Sequence, residues 1–140
     1  MTDKLQTIEQ IKISLGRLGL GAALDHAIQF IQVLATESDR GMILAGAAYI
    51  DNSLRRLLES QLVEDSSIGK LFEYNGPLGT FSSRTDLAFA LGLIDRGIQC
   101  DIHLIRKIRN ECAHTDLPIS FKNCSVKNRI RELDLSLIHI

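Results

Sequence analysis

Arg109, Asn110 and His114 carry the strongest chemical signal in the chain. They lie within Leu104–His114, read L-I-R-K-I-R-N-E-C-A-H. A histidine exchanges a proton near neutral pH, and an arginine holds a phosphate through two parallel N–H donors. Together they are residue types suited to acid–base work on a phosphate. A helical wheel at about 100° per residue sorts the stretch differently. Leu104, Ile105, Ile108 and Cys112 share one side, with Ile102 and Ala113 at its edge. Arg106, Lys107, Asn110 and His114 lie opposite. Arg109 projects inside the apolar arc, between Ile105 and Ile102. A guanidinium stays charged at any working pH, so that position demands a carboxylate or several carbonyls as partners. The wheel therefore assigns Arg109 to scaffolding. His114, beside a helix end, suits a partner of the C-terminal dipole. No catalytic residue is expected on this reading.

A second group that could do chemistry is Cys100, His103, Cys112 and His114. On one helix Cys100 and His103 are neighbours three residues apart, but Cys112 and His114 point about 160° away from each other. A tetrahedral zinc site needs its ligands to converge, so the expectation is no metal and buried or half-buried thiols. Cys100, Cys112 and Cys124 make an odd count. With no secretory signal visible at Met1-Thr2-Asp3-Lys4, this favours reduced thiols and a cytoplasmic location. The loop Asn75-Gly76-Pro77-Leu78-Gly79 is not a phosphate loop, because no Lys-Ser or Lys-Thr follows its glycines. No cofactor is implied.

Helices must position these residues. Apolar residues make up 45% of the 140-residue chain, enough for a packed core in one domain. No apolar run approaches the roughly 18 residues of a membrane span. A helical stripe over residues 2–18 holds Leu5, Ile8, Ile11, Leu15 and Leu18, and Gly16, Gly19 and Gly21 end it. Ala22–Ala35 follows with Leu24, Ile28, Ile31 and Leu34 on one face. Ser38 or Asp39 caps Arg40–Leu62, whose face is Ile43, Ala47, Ile50, Leu54, Leu57 and Leu58. Gly41, Ala45, Gly46, Ala47 and Ala48 let another helix approach closely. Asp51 lies at the margin of this face, between Leu58 and Leu44. It is the expected partner of Arg109 in a buried ion pair.

Ile68–Tyr74 reads as a short helical piece, followed by an irregular loop that Leu78 and Phe81 plug to the core. Ser82 or Ser83 caps a helix running to about Ile94. Asp95-Arg96-Gly97 turns, and the helix from about Gln99 to His114 stops before Asp116-Leu117-Pro118. Ser125 caps a short helix through Leu133. Leu135–Ile140 alternates apolar and polar residues, as a docked tail or a lone strand that reaches another molecule. The expected architecture is all-α: a single-domain bundle of about five to seven helices over residues 1–140.

Three segments carry a family likeness. They are Arg40-Gly41 through Ala47-Ala48-Tyr49-Ile50-Asp51 to Leu57-Leu58, then Asn75–Arg84 through Leu91-Gly92-Leu93-Ile94, then Ile105–His114. In this order and spacing they resemble the mannitol operon repressor family over about residues 22–125. The N-terminal helix and the tail after Leu133 diverge from it. The resemblance implies a small helical regulator without a DNA-reading motif. A net charge of -1 likewise offers little to a phosphate backbone, so no direct DNA binding is expected. The implied partner is another protein, such as a transcription factor; a homodimer is compatible with this.

Small size and divergent ends also fit an immunity or antitoxin protein that neutralises a toxin nuclease. Asp3, Glu9, Glu37, Asp39, Glu59, Glu64, Asp65 and Glu73 could face such a basic target, or be ordinary solvated charges. More distantly, Arg109-Asn110 and His114 resemble the signature of the HEPN superfamily. That resemblance implies RNA cleavage by a dimer, with His114 as general acid or base, Arg109 holding phosphate charge and Asn110 orienting. Arg106, Lys107 and Arg109 make a thin RNA path with no aromatic beside them for base stacking. The favoured reading is a non-catalytic, protein-binding regulator.

Overall fold

The computed structural model describes residues 21–122 and 124–133. The expected N-terminal helix over residues 2–18 and the tail 134–140 lie outside them. All regular structure among the described residues is helical, as the periodicity predicts. The elements are α1 Gly21–Ala35, α2 Asp39–Glu59, a 3-10 turn Ile68–Phe72, α3 Phe81–Ala90, α4 Arg96–His114 and α5 Cys124–Arg131. The chain divides into two compact units, residues 1–38 and 39–140. In the first unit α1 closes with tightened turns, Thr36 N–H to Val33 O and Glu37 N–H to Leu34 O, both 3.1 Å.

Helix ends in the second unit are set by particular hydrogen bonds. Asp39 opens α2, but its carboxylate is used elsewhere, accepting from Phe121 N–H at 2.9 Å. The helix stops at Glu59, short of the expected Leu62, where Ser60 Oγ donates back to Leu57 O at 2.6 Å. Thr80, not Ser82 or Ser83, is the N-cap of α3. Its extended backbone turns its hydroxyl onto Ser83 N–H at 3.0 Å, and Ser83 Oγ accepts from Thr80 N–H at 3.3 Å. This is a reciprocal capping box built with serine in the third helical position. The same helix ends at Ala90, four residues before Ile94. Gly92 adopts φ +72°, Leu93 N–H reaches Ala88 O and Gly92 N–H reaches Phe89 O, both at 2.9 Å. That pair of bonds is a Schellman end, and its left-handed residue suits glycine.

Asp95 does not sit in a turn before α4 but caps it, accepting from Ile98 N–H at 2.8 Å. The helix therefore starts at Arg96, earlier than Gln99. α5 begins at Cys124, so Ser125 lies within it.

α2, α3 and α4 pack on one another, and α5 packs on α4. The main core joins Ala47, Leu54 and Leu58 of α2, Phe72, Leu78, Phe81 and Ala88, and Ile102 of α4. A second cluster around Ile108 and Cys112 gathers Ile43, Leu44, Phe121 and Ile130. Leu78 and Phe81 do plug the irregular loop inward, at 8% and 4% exposure. The loop folds back so tightly that a Cβ at Gly76 would overlap the carbonyls of Lys70 and Leu71, and one at Gly79 those of Glu73 and Tyr74. Those two glycines are there because backbone passes against backbone. No described helix is long and apolar enough to cross a membrane.

Candidate functional site

The chemistry-bearing residues gather on α4 and on the elements that touch it. Asp51 and Arg109 do not form the expected ion pair. Asp51 Oδ1 accepts from Arg84 Nε at 2.7 Å, and Oδ2 accepts from Arg84 NH2 at 2.8 Å. Arg84 NH1 donates to Leu78 O at 2.7 Å. Both oxygens of Asp51 are thus taken by one guanidinium fork, a geometry that matches a carboxylate better than two separate cations could. The reason is placement. Arg84 lies one turn into α3, between the buried Phe81 and Ala88, where α3 packs on α2. The pair ties the glycine loop to α2.

Arg109 instead lies half-buried with its guanidinium carbon 5.7 Å from the centre of the Phe81 ring. That is within reach of a cation–π contact. Its Nε is buried without a hydrogen-bond partner. Asn110 is half-buried, while His114 is exposed at the last position of α4. The C-terminal carbonyls beyond α4 are met by Arg40, whose NH2 donates to Thr115 O at 2.7 Å and Leu117 O at 2.9 Å. Arg40 therefore supplies the cation at this helix end, a place the sequence offered to His114.

A polar cluster missed by the wheel joins α3 to α4. Asp86 Oδ1 accepts from Gln99 Nε2 at 2.9 Å and lies 2.7 Å from His103 Nε2. Gln99 Oε1 accepts from Arg96 NH1 at 2.9 Å, and the Arg96 guanidinium covers the Phe89 ring at 4.1 Å. His103 is half-buried. A signal existed: Gln99, His103 and Arg106 recur at helical spacing on one face.

The His103 hydrogen bond, then that of Gln99, holds the Asp86 carboxyl below the ordinary carboxylate value of 3.8. A depressed folded pKa contributes stability above the unfolded value, about 3.9. This contribution is lost as pH falls through the lower folded value. Acid unfolding of Asp86→Asn is expected to lack this component, and a carboxyl NMR titration of the native chain should place the Asp86 midpoint below the ordinary carboxylate value. A midpoint at the ordinary value would break this account.

The cysteines do not converge either. Cys112 is fully buried and Cys100 exposed, and among the described residues no three His, Cys, Asp or Glu side chains come together to hold a metal ion. Burial pushes the Cys112 thiol above its usual range, with Arg40 opposing weakly. The thiolate is the reactive form. In a Cys124→Ser background, one thiol, Cys100, should react promptly with a disulfide reagent, and the second only on unfolding. Two promptly reacting thiols in the native state would contradict the burial of Cys112.

A family model described as Mannitol repressor matches residues 30–137. Among solved structures, a chain of the MtlR–HPr complex from Escherichia coli superposes with a TM-score of 0.67 at 23% identity, covering 75% of this chain and 70% of that one. That likeness is one of fold. A comparison with curated proteins gave no match. With its family model extending from within α1 past α5, and covering the glycine loop and the whole of α4, the chain belongs to the mannitol repressor family.

Proposed function

We infer that this chain is a regulator that acts by binding another protein, without reading DNA itself and without catalysis. The observation that carries this reading is the match in fold to a chain of a complex between MtlR and the protein HPr. Membership of a repressor family supports it. So does the net charge of -1, which gives no general attraction to a nucleic-acid backbone. Reduced thiols such as the buried Cys112 fit a cytoplasmic protein.

The test is a calorimetric titration of purified HPr into the full chain, alongside incubation of the chain with tRNA and mRNA. Saturable binding at about micromolar affinity or tighter, with the RNA intact, is the expected result. No saturable heat with HPr would sink the partner assignment. RNA cleavage that is lost in His114→Ala would replace the reading with the HEPN-type nuclease.

A further inference from the structure

One side of α4 carries three nitrogen atoms that the fold buries without a hydrogen-bond partner: His103 Nδ1, Arg106 Nε and Arg109 Nε. They follow one another at three-residue steps, each turned about 60° from the last. α3 flanks this side at both ends. His103 Nε2 rests on Asp86 Oδ1 at 2.7 Å, and the Arg109 guanidinium covers the Phe81 ring at 5.7 Å. Arg106 lies between them along α4 and feels the Asp86 carboxylate. The Asp86 oxygen that faces α4 is already shared between His103 and Gln99.

A buried donor left unsatisfied carries a desolvation penalty, and each such group in a folded protein calls for an explanation. Arg84 shows how this fold treats an arginine that serves structure alone. Its Nε, NH1 and NH2 are all bonded, to Asp51 and the Leu78 carbonyl. Arg106 and Arg109 instead leave Nε unbonded, on residues about 4.5 Å apart along the helix axis. A carboxylate brings one charge and two oxygens in a plane. A phosphate monoester brings close to two charges and three terminal oxygens, the better match to two neighbouring forks.

We propose that Arg106 and Arg109, with His103 at the edge, form a binding site for a phosphate monoester. The site is independent of the partner-binding reading above. Its ligand is a small phosphate ester or a phosphorylated side chain, which share this chemistry.

The Nε–H resonances of arginine report these atoms directly in ¹⁵N-labelled full chain. Titration with inorganic phosphate at constant ionic strength should move the Arg106 and Arg109 signals saturably, while that of Arg84 stays in place. Arg106→Lys and Arg109→Lys keep the charge and lose the fork, so each should weaken binding roughly tenfold. Further arms with glycerol phosphate and with a phosphoserine peptide identify the source. Saturation by either one, at lower concentration than inorganic phosphate, supports the site and assigns it. Shifts that never saturate, or that sodium chloride reproduces, overturn the proposal. So does tighter saturation of the same signals by an RNA oligonucleotide at matched phosphate concentration, which would make the face a nucleic-acid path.

Discussion

Arg84→Ala is expected to lower the unfolding free energy by about 3 kcal/mol and the melting temperature by roughly 10 °C. The Arg84 side chain keeps 11% of its surface exposed and that of Asp51 21%. Removing the guanidinium strands a largely desolvated carboxylate and frees the Leu78 carbonyl, which anchors the glycine loop. The partial exposure of Asp51 places the cost at the low end of the range for breaking a buried pair. Asp51→Ala should cost a similar amount by leaving the cation unpaired. The double variant should then be less destabilised than the sum of the singles, by about 1–3 kcal/mol of coupling. Arg84→Lys retains the charge but cannot bond both oxygens as a fork, so it should recover only part of the loss. Thermal and urea unfolding of the four proteins measure this directly. Additive single effects would mean that the two residues are not energetically paired, whatever their geometry.

The second large effect belongs to Phe81. Phe81→Ala removes a ring that is 4% exposed and joins α3 to the main core, at a cost of about 3–5 kcal/mol. Phe81→Leu keeps most of the volume and should cost less than about 1.5 kcal/mol. Arg109→Ala, by contrast, removes a cation–π contact worth about 1 kcal/mol, and with it a buried donor that has no partner. It should therefore be close to neutral. The ordering is the informative result. If Arg109→Ala destabilises as much as Phe81→Ala, the arginine is the structural keystone that the helical wheel alone suggests, and its contact with the ring understates its role.

These two predictions show where the sequence was sufficient. The apolar spacing of Ile43, Ala47, Ile50, Leu54 and Leu58 is local, and a 3.6-residue period can bury its stripe in only one way. The helix of α2 and most of its inward face followed from that. The glycine loop was legible for the same reason, since Asn75-Gly76-Pro77 forbids regular structure and Leu78 and Phe81 need burial. The resemblance carried by the loop and by Arg109-Asn110 with His114 led to the family. Helix ends were less legible because several capping residues compete within a few positions. Thr80, Ser82 and Ser83 all have the right hydroxyl, and the extended backbone at Thr80 decides.

By itself the sequence determined an all-α chain, its main helices, most of the inward face of α2 and the family, but not the inward faces of α1 and α3, where Ile31, Ala90 and Leu91 are exposed. It also identified Asp51 and Arg109 as charges in need of partners. Only the tertiary structure decided who those partners are. A wheel gives the angle at which a side chain leaves its helix, but an ion pair depends on which neighbouring helix arrives there and at what height. α3 brings Arg84 to Asp51 with a fork that fills both oxygens, and so leaves Arg109 over an aromatic ring with its Nε unmet.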